Sequence, residues 1–253
     1  MQIAVWNTPF THLVTESLRA AWPEGVRSGT AADAENALRA GEVDVALLPT
    51  HTALLGRDDF DVLPAVGIST WANPFTTLTL PDGLESGPVH IRHSHDGQLP
   101  AFVAKIVLKE HYSIVASTSE SETGSPDVDP LGLTMASSGR ETTPVLLDLG
   151  MEWYELANYP MVWAVFAMRK DTSTPQAIAS IRDVVVALDD ERRDRVLQGG
   201  ASEEVQEFEL NDLRLRLDDL ALASLTEFTE YLYFHEQADA IEPVPFVSLP
   251  DDA

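Results

Sequence analysis

Amides and hydroxyls gather in this chain wherever an apolar run stops. Asn7 and Thr8 follow the apolar stretch 2–6. Thr50, with His51 and Thr52, follows 43–49, and Ser69 and Thr70 follow 63–68. Ser137 and Ser138, with Gly139 and Arg140, close the run 131–136. Such groups donate and accept hydrogen bonds without titrating near neutrality, so the chemistry they can do is to grip and orient a small polar ligand. Asn7 also suits a second task, satisfying the backbone of its own turn, and the residues leave both readings open. His95 sits where a short strand gives way to a helix and is a further candidate contact. His90, His93 and His95 look like a metal set, with His93 and His95 on one strand face, but no carboxylate stands at matching spacing and no metal is assigned. The chain has no cysteine, which excludes thiolate nucleophiles, disulfides and Cys-based metal centres.

Those positions need elements to hold them, and the pattern is that of an α/β protein. Strands are expected at 2–6 and 43–49, with helices at 11–21 and 30–40, which implies parallel strands joined by right-handed crossovers. In open sheets of this kind ligands bind at the carboxyl ends of the strands, where Asn7, Thr8 and Thr50 fall. Two strands in succession, 63–68 and 75–80, break the alternation at the turn Trp71-Ala72-Asn73-Pro74, and there the chain is expected to enter a second lobe. That lobe should hold strands at 89–95 and 131–136, a helix at 99–112 with Pro100 in its first turn, and a solvated loop at 117–129. The segment 148–169 combines a helix capped by Asp148, a stop at Pro160 and a strand apolar on both faces, and it returns the chain to the first lobe. Helices at 174–190 and 220–235, a short strand near 213–217 and a loose tail from 242 complete it. The expected lobes are 1–74 plus 168–253, and 77–164.

At 253 residues there is ample chain for two such cores. The formal net charge of −25, with 16 basic against 41 acidic residues, argues against nucleic acid or an anionic membrane as partner. No stretch of 18 apolar residues occurs, and the first ten residues lack the basic and long apolar regions of an export signal, so the expected compartment is the cytoplasm.

Trp6-Asn7-Thr8-Pro9-Phe10, the segment 41–49, Leu63-Pro64 through Gly67-Ile68, Leu108-Lys109-Glu110-His111-Tyr112, and Asp148-Leu149-Gly150 with Glu152-Trp153 and Pro160 follow one another along the chain. In order and spacing these segments resemble the chorismate dehydratases of the futalosine route to menaquinone and, more distantly, the related naphthoate synthases. The resemblance implies a two-lobed fold of the type-2 periplasmic-binding-protein kind with a ligand cleft between lobes, and an enzyme using neither metal nor redox cofactor. It puts the family's catalytic asparagine on Asn7 and its catalytic serine on Thr76, or on Thr77 if the turn is shifted. Thr8, Thr50, Ser69, Thr77, His95, Ser137 and Ser138 are then the candidate ligand contacts, and the ligand is a small anionic aromatic or cyclohexadienyl carboxylate. The protein is expected as a monomer or dimer. Two departures stand out: Asp96 and Pro100 occupy the helix opening where the family holds a carboxylate, and Ala136-Ser137-Ser138-Gly139 replaces its Gly-Asp pair. They keep open an alternative, a small-anion-binding paralogue or a lyase with an altered substrate, in which His95, Arg92 and Arg140 serve another anion.

The 16 basic residues, of which only Lys105, Lys109 and Lys170 are lysines, leave most of the 41 acidic ones without an offsetting charge, so self-repulsion at low salt should be large. The expected outcome is a melting temperature that climbs as potassium chloride rises from about 0.1 M to above about 1 M, where the screening length shrinks to about 3 Å. So acidic a surface suggests a salt-rich cytoplasm, and a flat or falling curve in scanning calorimetry would remove that argument.

Overall fold

The structure is a computed structural model that describes residues 1–80, 89–120, 133–135, 145–172, 174–198 and 202–247. In chain order its elements are β1 (Ile3–Trp6), α1 (His12–Ala21), β2 (Val26–Gly29), α2 (Ala31–Arg39), β3 (Val45–Pro49), α3 (Thr50–Leu55) and β4 (Phe60–Thr70). There follow β5 (Thr77–Leu80), β6 (Val89–His93), α4 (Gln98–Glu110), β7 (Ala116–Glu120), β8 (Leu133–Met135), β9 (Val145–Asp148) and α5 (Leu149–Ala157). The chain closes with β10 (Met161–Arg169), α6 (Pro175–Gln198), α7 (Glu203–Asn211), β11 (Leu213–Arg216) and α8 (Asp219–Phe234). They form two compact units: Met1–Thr70 with Val162–Ala253, and Trp71–Met161.

The first unit is built on a six-stranded sheet ordered β11-β4-β10-β3-β1-β2. β1 runs parallel to both β2 and β3, and β10 runs antiparallel to β3, with Ala164 opposite Pro49 and Ala167 opposite Ala46. Every residue of β1 and β3, and all of β10 but Arg169, is buried, as their unbroken apolar runs require. Thr30 starts α2 with a capping box: its hydroxyl accepts from the Asp33 amide at 3.1 Å, and the Asp33 carboxylate accepts from the Thr30 amide at 3.0 Å. α8 begins likewise on Asp218, which accepts from Ala221 N at 2.9 Å.

Four local outcomes differ from the sequence pattern, each for a physical reason. Val26-Arg27-Ser28-Gly29 forms edge strand β2 with no buried side chain, so no alternation announces it. Thr50, His51 and Thr52 are the first turn of α3 rather than a strand end. α6 continues to Gln198, past 190, where Glu191 pairs with Arg195 at i,i+4 (2.9 Å) and Asp189 meets Arg216 of β11 at 2.9 Å. The tail is tied down to residue 247: Val62 N donates to Pro245 O at 2.7 Å and Val247 N to Val62 O at 2.9 Å, a parallel bridge on β4.

The second unit has a five-stranded sheet ordered β7-β6-β8-β5-β9. β5 pairs parallel with β8 and antiparallel with β9, and β6 pairs parallel with β7 and antiparallel with β8. Residues 117–120, expected in a solvated loop, belong with Ala116 to the edge strand β7, paired with β6 from Val89–Ala116 to His93–Glu120. Its serines and threonine suit a strand whose outer edge faces water. The remainder of that expected loop, 121–129, lies outside the described residues, as do Ser137, Ser138, Gly139 and Arg140. α4, with Pro100 in its first turn, packs on α5 and on β6 and β7.

One carboxylate organises this unit's entry. Asp148 caps α5, accepting from Gly150 N at 2.8 Å and Met151 N at 3.1 Å, and both its oxygens lie 2.9 Å from Asn73 N. The turn 71–76 is thereby fastened to the helix start. Gly150 allows the approach, because a Cβ there would lie 2.9 Å from Asn73 N and 3.0 Å from the Ala72 carbonyl carbon. Asp148→Ala should therefore lower stability in urea unfolding by about 2–4 kcal/mol, a lost cap plus an orphaned buried amide. Gly150→Ala should also destabilise although alanine is the better helix former. A midpoint equal to wild type in both variants would show that the clamp is dispensable.

Candidate functional site

In the first unit, the carboxyl ends of β1 and β3 and the start of antiparallel β10 share one edge of the sheet. Asn7 stands there, its amide nitrogen donating to Gly29 O at 2.9 Å, which holds the backbone. Its side chain is exposed and has no hydrogen-bond partner among the described residues. Of the other candidate hydroxyls in this unit, all but that of Ser69 are committed to the protein. Thr8 is 5% exposed and turns into the capping arrangement of the short 3-10 helix Pro9–Thr11, where Thr11 Oγ1 accepts from Thr8 N at 2.9 Å and donates to Trp6 O at 2.8 Å. Thr50 is fully buried and donates to Val162 O at 2.6 Å. Thr70 accepts from the Trp163 indole N–H at 2.9 Å. Ser69 is fully buried, and its hydroxyl has no partner among the described residues.

Beneath this edge lies an aromatic floor that the residue pattern assigns simply to core. Trp6 meets Phe10 edge-on with centroids 5.5 Å apart, and Phe10 meets Trp163 at 6.2 Å. The Trp6 indole N–H is buried without an acceptor among the described residues.

In the second unit the candidate residues divide by exposure. Thr76 is fully buried; its hydroxyl lies 3.3 Å from Asn73 O and its carbonyl accepts from Leu149 N at 3.0 Å. Thr77 opens β5 opposite Asp148, half-buried, with a hydroxyl free of partners among the described residues. Asn73 is the residue that sequence reasoning treated as turn alone. It is fully buried, its Oδ1 accepts from Phe75 N at 3.1 Å, and its Nδ2 has no partner among the described residues. An Asn-Pro pair just ahead of two threonines is the signal that marks it.

β6 ends at His93, so His95 does not share its face. His95 lies in the short 3-10 helix His95–Gly97, capped by Ser94 Oγ, which accepts from Gly97 N at 3.1 Å. His93 is 7% exposed, not part of an exposed strand end, and its Nδ1 lies 2.8 Å from Ser94 O. His90 is exposed and bridges Ser117 and Ser119 of β7 at 2.9 and 2.8 Å.

A titratable cluster arises instead where α4 meets α5. His111 Nδ1 lies 3.6 Å from Glu152 Oε2, which accepts from the Tyr112 hydroxyl at 2.8 Å, and ligand atoms of His111, Glu152 and Glu155 lie within 4.8 Å of one another. Burial raises the Glu152 carboxyl above its ordinary range, with Glu155 adding to the rise and Tyr112 and His111 opposing it. Burial likewise raises the Tyr112 phenol, helped by its bond to Glu152. These residues are far apart in sequence, and only the α4–α5 contact brings them together.

A carboxyl whose folded-state value is raised supports the fold while protonated, so that contribution is full at low pH and is lost as pH climbs above the ordinary carboxylate range. Glu152→Gln keeps an acceptor for Tyr112 and cannot ionise. Its stability relative to wild type should thus improve steadily from pH 4.5 toward neutrality, as followed by urea midpoints. A constant difference across that window would show that Glu152 titrates normally.

A family model described as menaquinone biosynthesis matches residues 3–234. No curated protein sequence matches the chain. Among solved structures it is similar to protein AF1704 from Archaeoglobus fulgidus, at 15% identity and TM-score 0.62, over 93% of this chain and 98% of that one. It is similar to the aliphatic sulphonate binding protein SsuA from Escherichia coli, at 9% identity and TM-score 0.59, over 99% and 92%. A Candida albicans gene product with the generic periplasmic-binding-protein fold aligns at 10% identity and TM-score 0.54, over 100% and 98%. The fold is therefore of the periplasmic-binding-protein kind. Among the described residues no helix is long and apolar enough to cross a membrane.

Proposed function

The chain belongs to the menaquinone-biosynthesis family, and from that membership we propose that it is a chorismate dehydratase-like lyase forming 3-[(1-carboxyvinyl)oxy]benzoate. The observation that supports a site at the carboxyl end of β1 is Asn7: a held backbone, an exposed side chain without partners among the described residues, and neighbours whose hydroxyls are already bonded. A polar group positioned by the main chain and unsatisfied by protein is suited to a ligand.

In this reading the reaction is a loss of water driven by aromatisation. A ring C–H bond breaks, its electron pair becomes part of the new aromatic system, and the ring C–O bond breaks with the hydroxyl leaving as water. The substrate's own carboxylate takes the ring proton and passes it to the departing hydroxyl, so that water leaves and the carboxylate is restored. The protein's contribution is orientation, by amide and hydroxyl groups that hydrogen-bond the ring substituents and the departing hydroxyl, a role the family resemblance assigns to Asn7 and to a threonine at the head of β5. Thr76 is the position given by the unshifted turn, and Thr77 the position whose hydroxyl is uncommitted among the described residues. No residue is assigned as nucleophile or metal ligand.

Incubating purified protein with chorismate and following the aromatic product tests this directly. Asn7→Ala should retain the melting temperature and lose turnover by about ten- to a hundredfold, one directed polar contact to a reacting ligand. Thr77→Ala should lose turnover at preserved stability, and Thr76→Ala should lose stability first. Wild-type protein that leaves chorismate intact would reject the dehydratase reading. A second reading, a binding paralogue or a lyase with an altered substrate, is favoured by Asp96 and Pro100 at the opening of α4, where a carboxylate would meet a negative charge and a missing N–H. It predicts that small carboxylates bind without turnover and that His95→Ala weakens them, most below about pH 6.5.

A further inference from the structure

We propose that the pocket at the opposite end of the first unit's sheet binds a small oxyanion, a phosphate or carboxylate group, with the Arg169 guanidinium as its fork. Because β10 runs antiparallel to β3, its last residue, Arg169, lies at the other end of the strands from Asn7 and Thr50. There it lines a pocket of about 450 Å³ together with Arg39, Asp58, Asp59, Phe60 and Lys170.

The charges in this pocket are the opposite of what the chain as a whole supplies. With 41 acidic residues against 16 basic ones, arginines here readily find carboxylates: Arg19 pairs with Glu16, Arg27 with Glu42, Arg57 with Glu242, Arg195 with Glu191 and Arg216 with Asp189. Arg169 does not. Its Nε is buried without a partner, and its guanidinium makes no ion pair among the described residues. The Nη nitrogens are neither bonded among the described residues nor sealed off, and they are the donors that a ligand's oxygens can meet in the pocket.

The neighbours are arranged to keep that guanidinium open. Arg39 is occupied, bonded to Glu35 at 2.9 Å and to Asp59, with its guanidinium 4.6 Å over the Phe60 ring. Asp59 is thus turned toward Arg39, while its carbonyl accepts from Lys170 N at 3.0 Å. Gly41 has φ of +71°, and a Cβ there would lie 2.9 Å from Arg169 Nη1 and 3.0 Å from its Cζ. A side chain at 41 would be strained in its backbone and would displace the guanidinium. Lys170 is exposed and makes no ion pair among the described residues, so Arg169 and Lys170 together outweigh the one remaining carboxylate, Asp58. A planar fork with an adjacent point charge matches two oxygens of one phosphate or carboxylate.

The test is a calorimetric titration of the full chain with inorganic phosphate and, separately, benzoate, at constant ionic strength balanced with chloride so that general screening is the same throughout. Saturable binding of either probe is expected, and the stronger of the two identifies the oxyanion. Arg169→Gln should weaken it by about tenfold or more, and Arg169→Lys, which keeps the charge without the fork, should also weaken it. Lys170→Gln alters an exposed side chain, cannot threaten the fold, and should weaken binding several-fold. Binding that Asn7→Ala retains and Arg169→Gln weakens belongs to this pocket rather than to the Asn7 site, and binding of both probes that Asn7→Ala abolishes overturns the proposal. Absence of saturable binding by either probe in wild type, or wild-type affinity in both Arg169→Lys and Lys170→Gln, overturns the proposal.

Discussion

The Asp148 carboxylate is the constraint on which the second unit's geometry depends. A single anionic group accepts from the first free amides of α5 and from Asn73 on a turn many residues earlier. Because it also ends β9 opposite Thr77, the same residue fixes the register of β9 against β5. The segment most specific to the family resemblance, Asp148-Leu149-Gly150, is thus architectural: the carboxylate fastens, and the glycine makes room for the backbone that is fastened. What this secures is the position of the residues following Asn73, including the threonines at the head of β5.

The first unit solves a different problem. The strands of its sheet leave polar groups at their ends, and most are satisfied internally: Thr11 closes onto Trp6, Thr50 onto Val162, and Thr70 onto Trp163. Two of those three partners belong to β10, so the antiparallel insertion that completes the sheet also dries out its edge. Asn7 is left as the exposed amide there, and its availability follows from how thoroughly its neighbours are bonded.

Long apolar runs made the buried strands β1, β3, β4 and β10 legible, and caps and proline positions did so for α4 and α5. β2 and β7 were not, since edge strands of mixed polarity lack the alternation that burial imposes. For the site, the sequence marked Asn7, Thr76 and Thr77 but gave no means of telling them apart, because exposure is set by tertiary contacts: Thr76 and Thr77 are adjacent, yet one hydroxyl is buried against Asn73 and the other is not. The His111–Glu152–Tyr112 cluster and the seat of Arg169 were equally hidden, each being made by segments distant in the chain.

The bridge that ties residues 245–247 to Val62 bears on the order of events during synthesis. β1, β2 and β3 leave the ribosome early, but β3 has an unpaired edge until β10 is made, and β4 waits still longer for β11 and the tail. The intervening unit is one continuous segment, Trp71–Met161, whose strands, among the described residues, pair with one another. Vectorial folding therefore favours completing the later-encoded unit first, with the N-terminal strands held as an open half-sheet that a dense negative charge helps to keep from associating with other nascent chains.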